Sequence, residues 1–201
     1  MPGNDSIFDG SDYETWAKHF RWATAGGGKY CGGITPDSIE EGKIYKNTVI
    51  YRIGHSNKSH EYNMSSPWWF TNDSIMQMRG CSMSASGDEF QKLYRLQAAV
   101  SNTFGVANLV YAAYVTTTLR CFSGKGSPVI DDRDRRTDGS IIKYPGCDMI
   151  CQNYIPGLRT ADNTGASADC RKWLECYGIW PIHLFARYGT KRSLTSQKIP
   201  Y

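Results

Sequence analysis

With 201 residues, 40% hydrophobic and 21% charged, the chain is long enough to bury a core without covalent staples and too apolar to be disordered. A formal net charge of +4, with both signs interleaved, leaves no strong electrostatic footprint for nucleic acid or a membrane surface. No stretch reaches the roughly eighteen apolar residues of a spanning helix, and the opening Met-Pro-Gly-Asn-Asp lacks the pattern of a signal peptide.

The first element expected is a helix. Ser11-Asp-Tyr-Glu14 has the capping-box pattern, and Tyr13, Trp16, Phe20 and Ala23 follow at helical spacing until Gly26-Gly27-Gly28 stops them. A glycine triplet that follows a helix is not the strand-to-helix loop that cradles phosphate. Asn47 to Ile53, rich in β-branched and aromatic residues, reads as a strand, and Gly54 to Asn63 as a polar loop. Beyond Ser65-Ser66-Pro67-Trp68-Trp69-Phe70, Thr71 or Asn72 caps a short helix carrying Ile75 and Met76.

A second capping box, Ser86-Gly-Asp-Glu89, opens a helix whose apolar face runs through Phe90, Leu93, Leu96 or Gln97, and Val100 to Phe104, with Gly105 as its C-cap. Leu109 to Cys121 reads as one or two strands, and Ser123 to Ser127 as a turn. Ser127 to Gly146 reads as a loop with at most a short strand at Ile141–Tyr144, and the mixed charges of Asp131 to Arg136 as its solvated part. Met149 to Ile155 alternates around Gln152 as a strand. Cys170, Trp173, Leu174 and Tyr177 mark a last short helix, and Trp180 to Tyr188 a last strand. Without βαβ alternation, the fold class expected is α+β, a mixed, mainly antiparallel sheet with several short helices. One domain is expected over 1–201: a helical N-terminal segment to about residue 46, a core at about 47–158, and a C-terminal helix and strand.

The seven cysteines cannot all pair within one chain, and neither close pair (Cys147 and Cys151, Cys170 and Cys176) has zinc-ligand spacing, so no metal site is expected. Buried thiols are preferred over one or two disulfides. His19, His55, His60 and His183 form no Ser-His-Asp arrangement; His55 and His60 sit in a polar loop, where exposure is the default.

What remains is an ordered set: Tyr51-Arg52 at a strand end, Ser66-Pro-Trp-Trp-Phe70, then Gly146-Cys-Asp-Met-Ile-Cys-Gln152-Asn-Tyr154. This order, over residues 47 to 158, resembles the toxin-type ADP-ribosyltransferase and NAD-glycohydrolase superfamily. That superfamily places an Arg on the first core strand, a Ser followed by aromatics on a second, and a Glu or Gln on a late strand. The resemblance implies that Arg52 binds NAD, that Ser66 organises the site, that Trp68, Trp69 or Phe70 stacks on a ring, and that Gln152 is the late-strand catalytic residue. An Arg fork suits phosphate oxygens, and an aromatic face suits a flat cationic ring. The departure is Tyr154, two residues after Gln152, where many members carry Glu.

The activity implied is ADP-ribose transfer to a protein or other macromolecule, or NAD hydrolysis. NAD is then the substrate, in an effector delivered to a target cell cytosol, with an immunity or inhibitor protein as partner. A plainer reading keeps Arg52 at a strand end, the Trp pair as core and Gln152 on a solvent face. A third makes the chain a secreted, cysteine-containing binding domain with Trp68 and Trp69 on its surface.

Overall fold

The computed structural model describes residues 3–10, 12–26, 31–81, 87–146, 150–159, 167 and 170–190. Helix α1 spans Tyr13–Ala25. Asp12 caps it, accepting from the Thr15 amide at 3.0 Å, and the predicted cap Ser11 lies outside the described residues. Gly26, at φ 55, turns the chain out of the helix. Strand β1 (Glu40–Ile44) follows, in a segment expected to be helical. Then come β2 (Val49–Gly54), α2 (His60–Met64), β3 (Trp68–Thr71), α3 (Asn72–Cys81) and α4 (Gly87–Gln97). The second half holds β4 (Leu109–Val115), β5 (Leu119–Lys125), β6 (Val129–Arg135), β7 (Ile141–Tyr144), β8 (Cys151–Tyr154), α5 (Cys170–Trp173), β9 (Leu174–Pro181) and α6 (Ile182–Tyr188).

Seven strands form one sheet in the order β1-β5-β8-β3-β2-β4-β9, and β6 pairs with β7 beside it. Every named pairing is antiparallel, so the α+β, mainly antiparallel class expected from the sequence is the one observed. Strand β3 joins the halves of the large sheet. Its first two residues pair with β8 (Trp68 with Tyr154, Trp69 with Asn153), and its last two with β2 (Phe70 with Tyr51, Thr71 with Ile50). Past Tyr51 the β2–β3 ladder stops while β2 continues along β4, so the sheet forks at Arg52.

Side chains alternate across each strand, so one face carries a core of Ile50, Trp69, Tyr111, Ala113, Leu119 and Cys121. The opposite face carries two cores. Near β2 and β4, Tyr51, Ile53, Phe70 and Val110 pack under α3, α4 and α6 through Ile75, Met78, Phe90, Tyr94 and Phe185. Near β5 and β8, Phe122 and Tyr154 pack under α1. Each large apolar ring buried there contributes about 1.5–3 kcal/mol. The fork lies between these two cores.

Several elements differ from the sequence expectation. Helix α4 stops at Gln97 rather than at Phe104, because Ala99 takes a left-handed φ of 51° and Val100 bridges to Cys31. The Ser86 of its expected capping box lies outside the described residues. Residues 123–125, expected in a turn, extend β5, since Gly124 and Lys125 pair with Gln152 and Cys151. The expected loop at 127–146 holds the short strand expected at Ile141–Tyr144 but also β6 paired with it, and Asp131 and Asp134 are buried rather than solvated. The polar loop after β2 contains α2, capped by Ser59. At the C-terminus the expected order of helix then strand is largely inverted. Residues 174–181 pair with β4 along its length, and the helix comes after Pro181. At the C-terminus, pairing with β4 overrides local helical spacing.

Candidate functional site

The fork opens into a cavity of about 240 Å³. Five of the residues singled out from the sequence line it: Arg52 from β2, Ser66 from the turn before β3, Trp68 and Phe70 from β3, and Gln152 from β8. Trp69, the sixth, does not. Of three consecutive strand aromatics only the first and third share a face, and Trp69 is completely buried in the opposite core. Its indole Nε1 donates to the Ser66 carbonyl at 2.6 Å, so it fixes the turn from behind and is not placed to stack on a ligand.

Arg52 is 7% exposed. Its Nη1 donates to the Asn63 carbonyl, while its buried Nε has no hydrogen-bond partner. Burial pushes its pKa down to about 10, with nearby Arg159 adding to the effect, so it stays cationic at neutral pH. No aspartate or glutamate is among the described residues lining the cavity. A buried guanidinium with an idle donor and no counter-ion is costly unless an anion completes it.

Ser66 is buried, and its Oγ accepts from the Trp68 amide at 3.3 Å. Gln152 is 5% exposed, and its Nε2 donates to the Gly33 carbonyl at 3.4 Å. That contact directs the amide so that Oε1 is the atom left to accept from a ligand hydroxyl. Tyr154, whose position raised the question of a missing carboxylate, is not on the cavity wall. Its hydroxyl meets His19 Nδ1 at 3.1 Å beneath α1, and burial pushes its pKa upward. Of the two late-strand candidates, Gln152 is therefore the one that faces the cavity. Cys147, Asp148 and Met149, which precede that strand, lie outside the described residues.

Four contributors were not legible in the sequence. Asn63, completely buried, ties the loop over the fork: its Oδ1 accepts from the His55 amide at 2.9 Å, and its Nδ2 donates to the His55 and Ser59 carbonyls at 3.0 Å. His55 was expected to be exposed but is 4% exposed and lines the cavity. Its Nδ1 accepts from the Ala107 amide at 3.1 Å, which leaves the proton on Nε2. Burial, with Arg52, Arg95 and Lys58, lowers its pKa to about 4 and keeps it neutral at pH 7. Tyr62 and Arg159 complete the wall, with the Arg159 guanidinium 4.9 Å from the Tyr62 ring centre. None of these four lies in a short motif; the folded loop after β2 brings in His55, Tyr62 and Asn63, and the segment after β8 brings in Arg159.

Among the described residues no group of three or more His, Cys, Asp or Glu side chains is arranged to hold a metal ion. Cys81, Cys121, Cys151 and Cys176 are free thiols, but Cys81 and Cys151 are exposed rather than buried as expected; Cys147 lies outside the described residues. No helix among the described residues is long and apolar enough to cross a membrane.

No family model matches the chain, and no curated protein matches it. Among solved structures, a chain described as Rhs1-CT in complex with cognate immunity protein RhsI1 superposes with a TM-score of 0.40 at 15% identity. The overlap covers 73% of this chain and 83% of that one, a likeness too loose to identify a shared fold.

Proposed function

We propose that the cavity at the fork binds NAD and that the protein cleaves its nicotinamide–ribose bond, transferring ADP-ribose to a macromolecule or to water. One observation carries the reading: Arg52, Ser66, Trp68, Phe70 and Gln152, drawn from separate segments, line one cavity that holds buried positive charge and no described carboxylate. Such a site favours a ligand with phosphates and flat rings. At about 240 Å³ the cavity is smaller than the roughly 300–1,000 Å³ of pockets that enclose a drug-sized ligand, so it takes one end of a dinucleotide.

In this mechanism the N-glycosidic bond breaks and its electron pair leaves with nicotinamide, which departs neutral. An acceptor oxygen or water bonds to the ribose carbon and releases a proton. The transition state resembles an oxocarbenium ion. Gln152 Oε1 accepts from a ribose hydroxyl and turns a carbonyl dipole toward the developing cation. Arg52 holds phosphate, and Trp68 and Phe70 bound the ring. The family resemblance extends the proposal to a delivered effector whose producing cell carries an inhibitor protein.

The test is NAD consumption by the purified protein, alone and with lysate acceptors. The wild type should deplete NAD. Arg52→Ala and Gln152→Ala should each lose activity by roughly 100-fold or more with folding intact. A folded wild type that leaves NAD untouched under all these conditions overturns the reading. A surface-patch binding domain, by contrast, expected both tryptophans exposed, and Trp69 is completely buried.

A further inference from the structure

We propose that Arg159, on the segment after β8, is the second half of an arginine clamp that grips two adjacent phosphates together with Arg52. This deepens the NAD reading and rests on it for the source of the diphosphate, but the clamp itself is argued from geometry.

Arg159 lines the same cavity as Arg52. The two side chains share an unusual condition: each has a buried Nε with no hydrogen-bond partner. Of the described chain, only Gln97 Oε1 shares that condition, and it is not on the cavity wall. Both guanidinium groups are braced rather than neutralised. Arg52 is held by the Asn63 carbonyl and lies 6.0 Å from the Trp69 ring, while Arg159 lies over Tyr62 at 4.9 Å. Braced guanidinium groups lose little further rotamer freedom on binding.

The charges act on one another, since Arg159 is among the causes that lower the Arg52 pKa. Two cations close enough to couple, with no described carboxylate on the wall, repel until an anion lies between them. A single phosphate could satisfy one fork. A diphosphate satisfies both, because each guanidinium can grip one phosphate bidentately. The chemical class is therefore a diphosphate, free or as the bridge of a dinucleotide. Sequence order hides the pair, since the partners are 107 positions apart (159 minus 52) and lie on different segments.

The experiment is titration calorimetry with inorganic pyrophosphate, ADP-ribose and nicotinamide mononucleotide, on the wild type, Arg159→Ala, Arg159→Lys and Lys43→Ala. The thermal midpoint without ligand verifies folding of each variant. Arg159→Ala should weaken pyrophosphate and ADP-ribose by roughly ten- to a hundredfold. It should weaken the mononucleotide, which has one phosphate, by much less. Arg159→Lys should recover only part of the loss, because an ammonium cannot grip bidentately. Lys43→Ala, which removes an exposed cation away from the cavity, should leave pyrophosphate binding unchanged. If pyrophosphate binds with this dependence while NAD is neither bound nor consumed, the clamp stands and the NAD reading falls. If NAD is consumed and Arg159→Ala leaves both KM and ADP-ribose affinity unchanged, the clamp falls and the NAD reading stands. If no diphosphate compound binds the folded wild type, the clamp falls.

Discussion

Two regions of the described chain bury charge and treat it in opposite ways. Beneath the turn at residues 101–104, Asp131 and Asp134 are enclosed by partners. Ser101, Thr103 and Arg133 donate to Asp131; the Asn102 amide and the Tyr144 hydroxyl donate to Asp134. Arg133, with Thr103 and Ser101 beside it, holds the Asp131 carboxyl well below its usual range. At the fork, Arg52 is as deeply buried, yet its Nε has no partner and no described carboxylate shares its cavity. A satisfied buried charge stabilises one arrangement of the chain, whereas an unsatisfied one costs stability and calls for an explanation, which the proposed anion supplies. The contrast separates framework from site where burial alone does not.

The largest test of that contrast lies within the tryptophan pair. Trp69→Ala should destabilise the fold by about 3–5 kcal/mol, because it empties a completely buried position and removes the brace on Ser66. Trp68→Ala should spare most of that stability and act on ligand binding, since Trp68 is only half-buried on the cavity wall. Denaturant unfolding of both variants, with NAD titration, separates the roles; equal destabilisation would break the assignment.

Next comes Arg52→Met. Its thermal midpoint should hold or rise, because an incompletely partnered buried charge is replaced by apolar volume. NAD turnover should fall by roughly 100-fold or more. A large fall in the midpoint would make Arg52 a structural residue like the buried aspartates. Tyr144→Phe tests the other region. It removes one donor to Asp134 and one of the two acceptors of the Asn102 amide, and should cost about 1–3 kcal/mol in denaturant unfolding. It should not touch NAD turnover.

The smallest effect is a pH slope. Burial, with Lys18 beside it, lowers the His19 pKa to about 4. The unfolded chain takes up that proton first, near pH 6.5, so stability is full above that value and is lost as pH falls toward 4. His55 follows the same direction. His19→Gln should therefore flatten, but not abolish, the fall of the thermal midpoint between pH 6.5 and 4. An unchanged slope would show that His19 is already exposed in solution.

Much of the site was legible because its residues sit in short, chemically unusual strings. Arg52 sits within a β-branched run, two residues before the end of β2, and Ser66 opens an aromatic one. Alternation along a strand then excludes Trp69 from the wall that Trp68 and Phe70 share, a consequence only drawn once β3 is seen as a strand. His55 looked like an ordinary loop histidine. What buries it is Asn63, eight residues on, whose side chain folds the loop back. The charges of β6 looked solvated, because nothing local announces that Ser101, Thr103 and Tyr144 will close over Asp131 and Asp134.

By itself the sequence determined the α+β class, the first helix, the β2 strand and the chemical character of Arg52, Ser66 and Gln152. These follow from periodicity, capping and side-chain type, which act over a few residues. The tertiary structure alone decided the fork in the sheet, the inversion of helix and strand after residue 173, and the placement of Arg52 and Arg159 on one cavity wall. Strand pairing and cavity formation depend on partners on separate segments of the chain, and no local pattern encodes which partners will meet.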